Sequence, residues 1–238
     1  MLSGGNDPHG NDRDDGPAIE SAPLFTGVSA EDFRRFAAAA RLKRFARGDM
    51  LYLEGDTVEQ VLLLISGSVK ITKRGPKNME VILRLSAPGD ILDPVDLLST
   101  GKHFTTAQAI RGSRALAWDA RIFKDLVEGV PVLHQNVIRS ICGYVHELEE
   151  RFRELATEEE APRVARQLIR IQEQAGWPQK GEGEIGLSHE GLAQMTGTTV
   201  DTVSRLLSAW EAHGLVTCSV ESVMINDVRA LRKVFEEN

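Results

Sequence analysis

The side chains best suited to chemistry lie near the C-terminal end, in "TGTTVDTVSRLLSAWEAHGLV", residues 196–216. Thr198, with Asp201 three residues later, reads as a capping box that opens a helix. On that helix Thr199, Val200, Asp201, Ser204 and Arg205 fall on the outer side, opposite the apolar Val203, Leu206, Leu207 and Trp210. An arginine can donate two hydrogen bonds to guanine O6 and N7, a carboxylate can accept from cytosine N4, and a valine methyl can touch thymine. One such bidentate pair discriminates between bases by about 1–3 kcal/mol. Val200, Asp201, Ser204 and Arg205 are therefore candidate base readers. Ser188, Thr198, Thr199 and Thr202, with the helix amides, are candidate phosphate partners, which set affinity without reading sequence.

Other groups suggest different chemistry. Cys142 and His146 stand four residues apart, so two protomers could bring two thiols and two imidazoles together at a spacing that suits zinc or haem. The alternative is a small buried thiol beside a rim histidine, because a free cysteine packs as a small hydrophobe. His103 and His134 could each be a haem ligand or an anion partner, or simply surface residues. Cys142 and Cys218, the only cysteines, form no CxxC pair, which argues against a disulfide framework and a zinc ribbon. Neither GxGxxG nor GxxxxGK[ST] occurs, so Gly48, Gly55, Gly67 and Gly89 read as turn glycines. No HxH with a downstream Glu marks the metal site of a cupin enzyme. The sequence requires no cofactor and presents no catalytic residue.

These residues need positioning elements, and the texture of the chain supplies them. Residues 1–22 are rich in Gly, Asp, Asn and Pro and read as a disordered tail. "AEDFRRFAAAARL", from Ala30, places Phe33, Phe36, Ala37 and Ala40 on one helical face. From Phe45 to about Asp119, short apolar runs such as "VLLLIS", "SVKIT" and "EVILRLS" alternate with glycines, the pattern of a small antiparallel roll or barrel. Helical periodicity returns at Val132, where Ile138, Ile141, Val145, Leu148, Phe152 and Leu155 recur at spacings of three and four. That narrow seam suits pairing with a second copy in a parallel homodimer, or packing onto its own domain. Pro162 suits the first turn of a further helix. From Ser188, a capped helix, a turn at Gly197 and a second helix give helix-turn-helix geometry or an ordinary helical hairpin, and "LVTCSVESVMIND" reads as a wing. The expected division is a tail over 1–22, a roll over 23–131, a long pairing helix over 132–157 and a helix-turn-helix domain over 158–238, which the resemblance described below makes a sensory domain, a dimerisation helix and a DNA-binding domain.

A length of 238 residues, 42% of them hydrophobic, accommodates two modest domains. The net charge of −7 excludes a protein that coats nucleic acid by bulk electrostatics, so DNA contact must come from a local surface. With no signal-peptide pattern and no run of roughly 18 apolar residues, the expected location is the cytosol, away from any membrane.

With "FARGDMLYLEGD", "VLLLISGSVKI", "APGDIL" and "LSHEGLAQMTGTTVDTVSRLLSAWEAHGLV" in this order, the chain resembles the Crp/Fnr transcription regulators over nearly everything after residue 23. The resemblance implies an α+β protein. It would join an N-terminal antiparallel β-roll like a cyclic-nucleotide-binding domain, a long dimerisation helix and a C-terminal winged helix-turn-helix. It also implies double-stranded DNA and RNA polymerase as partners and a small-molecule effector. "TVDTVSRLL" is more similar to the Fnr branch than to the catabolite activator branch, which makes Asp201, Ser204 and Arg205 base readers and implies half-sites related to TTGAT. Asp201 is shorter than the Glu of that branch, which relaxes the expectation at one base.

The sensory part departs from the pattern. Members that bind cyclic AMP hold its ribose with a Gly-Glu pair and its phosphate with an Arg-Ser pair. Here Asp93 and Pro94 take the first pair's place, and His103 and Phe104, or residues one further on, take the second. These side chains provide neither the ribose contacts nor a fixed cation for the phosphate. No cysteine lies in residues 1–141, which excludes the Fnr iron–sulfur cluster. The haem-bearing member's Cys and His fall on Asp93 and Val95. Two classes of function follow: a dimeric regulator responding to an unidentified effector, or a cupin-like small-molecule-binding or catalytic protein with an accessory helical domain.

Overall fold

The structure, a computed structural model, describes residues 19–76, 79–92, 94–95, 101–174, 184–219 and 222–236. A helix α1 (Ala30–Ala39) leads into strands β1 (Arg41–Phe45), β2 (Met50–Tyr52), β3 (Gln60–Ser66), β4 (Val69–Arg74), β5 (Glu80–Ser86), β6 (Ile91–Leu92), β7 (Thr106–Ala109) and β8 (Ser113–Asp119). They form two antiparallel four-stranded sheets, ordered β1-β8-β3-β6 and β2-β7-β4-β5. Alternate side chains of both sheets, among them Leu62, Leu64, Val69, Ile71 and Leu92, meet in one core, where Ala107, Ala115 and Ala117 keep the layers close. The β3–β4 turn needs Gly67: its φ is +94°, and a Cβ there would lie 2.6 Å from the Gly112 carbonyl oxygen.

A second core joins the roll to helices. Phe36 of α1, Trp118 of β8, and Phe123 of α2 (Ala120–Gly129) pack edge to face. The Trp118 indole donates to the Phe36 carbonyl at 2.9 Å. The carboxylate of Asp119 caps α2 by accepting from the Arg121 and Ile122 amides. The expected return of helical periodicity at Val132 comes too late, because Phe123, Leu126 and Val127 already carry it through α2. Residues 1–18 lie outside the described residues, but the end of the expected tail is packed: Ala22 is buried and Ile19 lies against this core. Asn136 holds the following turn by donating to the Leu24 and Thr26 carbonyls at 2.8 Å.

Pro131 opens the long helix α3 (Pro131–Thr157), 27 residues and about 40 Å in length. Helix α4 (Glu160–Gln174) follows, then β9 (Glu184–Ile185), α5 (His189–Thr196), α6 (Val200–Ala212), β10 (Val216–Cys218), β11 (Val223–Ile225) and α7 (Val228–Glu236). Val164, Leu168, Leu192, Val203, Leu207, Val223 and Leu231 build their shared core. The wing is a three-stranded sheet, because β9 pairs with β11 as β10 does. Neither β9 nor α7 was among the expected elements, although Val228, Leu231, Val234 and Phe235 recur at helical spacing in α7. Buried Glu154 of α3 pairs with Arg170 of α4 at 2.6 Å and Arg166 at 3.5 Å, fixing the angle between the helices. Among the described residues no helix is long and apolar enough to cross a membrane.

Candidate nucleic-acid interface and sensory pocket

The exposed edge of α6 depends on how α5 ends. Gly197 adopts left-handed φ +63° and ψ +37°, its amide bonding back to the Ala193 carbonyl. The Thr198 amide bonds to the same carbonyl, so Thr198 completes the end of α5 rather than capping α6. The cap is Thr199, whose Oγ1 accepts from the Thr202 amide at 3.1 Å. The expected capping box of Thr198 and Asp201 is therefore not formed, and the cap falls one residue later, on Thr199.

With Val203 and Leu207 fully buried and Leu206 half-buried, Val200, Asp201 and Arg205 are exposed, and Thr202 and Ser204 are half-buried beside them. Among the described residues neither Asp201 nor Arg205 has a hydrogen-bond or ion-pair partner. The Ser204 hydroxyl lies 2.9 Å from Nδ1 of His189. Nothing in the sequence pattern pointed to His189 as that partner, because the two residues lie on different helices. Ser188 caps α5 by accepting from the Gly191 amide at 3.1 Å. It lines a cleft of about 380 Å³ between α5 and the roll, with Arg47, Lys70 and Gln108 on the opposite wall. Thr199, Val200, Asp201, Thr202, Ser204 and Arg205 thus share one edge, while Ser188 faces the cleft.

On α3 the seam residues divide. Ile138, Val145 and Phe152, seven apart, are 44%, 46% and 74% exposed, an apolar line with nothing over it among the described residues. Leu148 is half-buried, and Ile141 packs partly against the roll core. Leu155 is also half exposed, but its Cδ2 lies only 2.7 Å from where a Cβ on Gly197 would sit. The end of the long helix therefore touches the turn between α5 and α6. Cys142 and His146 are exposed, and among the described residues no cluster of three or more His, Cys, Asp or Glu could hold a metal ion.

Of the expected pocket residues, Asp93 lies outside the described residues and Pro94 is buried. His103 is buried and stacks on Tyr52 with ring centroids 3.9 Å apart. It lines a cavity of about 420 Å³ with Lys43, Asp56, Glu59 and Gln60. Phe104 is exposed beside Lys73, whose ammonium donates to the Phe104 carbonyl at 3.1 Å. The neighbouring His103 and Phe104 side chains therefore do not share one pocket.

Polar groups without any sequence signal occupy the gap between roll and long helix. The Arg84 guanidinium lies 4.9 Å over the Tyr144 ring and donates to the Ile91 carbonyl at 3.3 Å. Asp90 accepts from the Ala87 amide at 2.9 Å. Burial pushes its carboxyl above the ordinary carboxylate range, against the pull of the Ala87 bond and nearby Arg84. Arg151 donates to the Ile82 carbonyl at 3.3 Å and the Met195 carbonyl at 2.9 Å, joining α3 to β5 and α5. Burial lowers the pKa of its guanidinium.

Comparison with known proteins agrees with this geometry. Residues 42–129 match the cyclic nucleotide-binding domain family and residues 162–234 the Crp-like helix-turn-helix domain family, together more than half of the chain. The chain is 24% identical over 217 residues to the CRP-like cAMP-activated global transcriptional regulator of Mycobacterium tuberculosis, covering 90% of this chain and 97% of that protein. A crystallised CRP-family transcriptional regulator from Thermus thermophilus superposes with a TM-score of 0.68 at 26% identity, over 81% of this chain and 96% of the other. The c-di-GMP responsive global regulator of Xanthomonas campestris has the same fold. Its TM-score is 0.71 at 17% identity, over 84% of this chain and all of the other.

Proposed function

The chain belongs to the Crp/Fnr family of DNA-binding transcription regulators, and from that premise we propose a homodimer that reads a palindrome under the control of a small molecule. The observation that carries the proposal is the pairing of two exposed surfaces: the apolar line Ile138, Val145 and Phe152 on α3, and the edge of α6. Covering the first with a second copy, with Ile141, Leu148 and Leu155 at its margin, presents the second twice. Val200, Asp201, Ser204 and Arg205 then read bases in TTGAT-like half-sites about 34 Å apart. Thr198, Thr199 and Thr202 hold phosphates, with Ser188 at the start of α5 as a further phosphate candidate. The working division is a roll with its flanking helices over 19–130, a dimerisation helix over 131–157 and a DNA-binding domain over 158–238. RNA polymerase is the partner that the family implies.

The effector is a molecule other than cyclic AMP. His103 stacked on Tyr52 and exposed Phe104 are unsuited to a cyclic phosphate, and Arg84 is already engaged by Tyr144 and the Ile91 carbonyl. The names of the similar proteins, one cAMP-activated and one c-di-GMP responsive, show how widely effectors differ on this fold. No observation favours a cupin-like reading.

Random-sequence selection with the full chain, repeated with cell extract, tests the proposal. Enrichment of a two-fold palindrome whose complex weakens with salt is the expected result. Failure to enrich any palindrome under either condition overturns it.

A further inference from the structure

His189 opens α5 and Ser204 lies in the second turn of α6, with Nδ1 and Oγ 2.9 Å apart. A hydroxyl carries one proton and two lone pairs, so the direction of this bond decides what Ser204 has left for DNA. If the hydroxyl donated to Nδ1, a neutral ring would carry its proton on Nε2. That atom is buried and has no hydrogen-bond partner among the described residues. A buried N–H without an acceptor is a rarer orphan in folded proteins than an acceptor with an unused lone pair. The proton therefore belongs on Nδ1, from which it is donated to Ser204 Oγ.

We propose that His189 is a positioning residue that fixes the polarity of Ser204. By occupying one lone pair it leaves the hydroxyl proton for DNA, so Ser204 meets a base-edge acceptor such as guanine O6 or N7, adenine N7 or thymine O4. Cytosine N4, a donor, is disfavoured. Specificity at that position is set jointly by Ser204 on α6 and His189 on α5. The inference rests on the reading of α6 as the base-contacting helix.

Competition binding of the full chain to half-sites varied one pair at a time tests it. Ser204→Ala and His189→Phe should each lower the preference at the same single base pair by about three- to tenfold, the worth of one hydrogen bond. Combining them should lower it no further, because they remove one shared interaction. A loss of affinity that is uniform across all sequences in His189→Phe, or additive effects, overturns the inference. Arg205→Ala separates the two levels. If neither Arg205→Ala nor Ser204→Ala alters any base preference, the reading of α6 itself falls; if both do and His189→Phe does not, only the role of His189 falls. Nitrogen chemical shifts of the assigned His189 ring give an independent readout in the unsubstituted protein: the Nδ1-protonated tautomer is expected, and the Nε2-protonated tautomer overturns the inference.

Discussion

The outer edge of α6 and the gap between the roll and α3 both carry charged side chains, but they differ in what those side chains already hold. Asp201 and Arg205 extend from a rigid, capped helix and have no hydrogen-bond or ion-pair partner among the described residues. Arg84 and Arg151 are instead held by an aromatic face and backbone carbonyls, and Asp90 accepts from a backbone amide. The first region offers bonding capacity to a partner, whereas the second spends most of it on the protein. Substitutions on α6 should thus change what is bound, and substitutions in the gap should change the stability and posture of the binder.

The largest effect expected from this contrast comes from the apolar line on α3, which in the proposed dimer presents α6 twice. Val145→Glu combined with Phe152→Glu should yield a monomer by analytical ultracentrifugation. Loss of the second half-site contact should cut palindrome affinity by roughly 100-fold or more; a variant that stays dimeric would place the interface elsewhere. Arg205→Ala comes next, losing about 1–3 kcal/mol of discrimination at one pair of each half-site in competition assays. A uniform loss would make Arg205 a phosphate anchor. Tyr144→Leu should lower stability by about 0.5–2 kcal/mol, measured by denaturant titration, with base preference unchanged; a changed preference would break the contrast.

The smallest effect is at Asp90. Burial raises its carboxyl pKa, so the folded state holds that proton more tightly than the unfolded chain, and ionisation costs stability as pH rises. Asp90→Asn keeps an acceptor for the Ala87 amide and should give a modestly higher Tm at pH 7. That advantage should vanish below about pH 3.9, where the unfolded carboxyl is protonated as well.

Legibility followed the same boundary. The face of α6 was readable because burial of Val203, Leu207 and Trp210 at helical spacing dictates what points outward. The cap slipped by one residue because the left-handed Gly197 draws the Thr198 amide back onto α5. The roll was readable from its glycine-punctuated runs, and α7 was equally readable although not among the expected elements, since Val228, Leu231, Val234 and Phe235 recur at helical spacing and pack on the core. The gap at the roll gave no signal. An arginine such as Arg84 within a strand reads as a solvated outward residue, and its partner Tyr144 comes from a distant helix, so only three-dimensional packing joins them. His189 was missed for the same reason: its partner Ser204 lies on the next helix.

Arg151 has a mechanical consequence. One guanidinium holds a carbonyl of β5 and a carbonyl of α5 while its own backbone belongs to α3. Roll, long helix and DNA-binding helices are therefore pinned at a single vertex. The DNA-binding helices cannot swing about α3 without releasing the Met195 carbonyl, and the roll cannot slide along α3 without releasing the Ile82 carbonyl. Each of these movements therefore costs one hydrogen bond of the same guanidinium, so the posture of both neighbours is tied to a single side chain on α3.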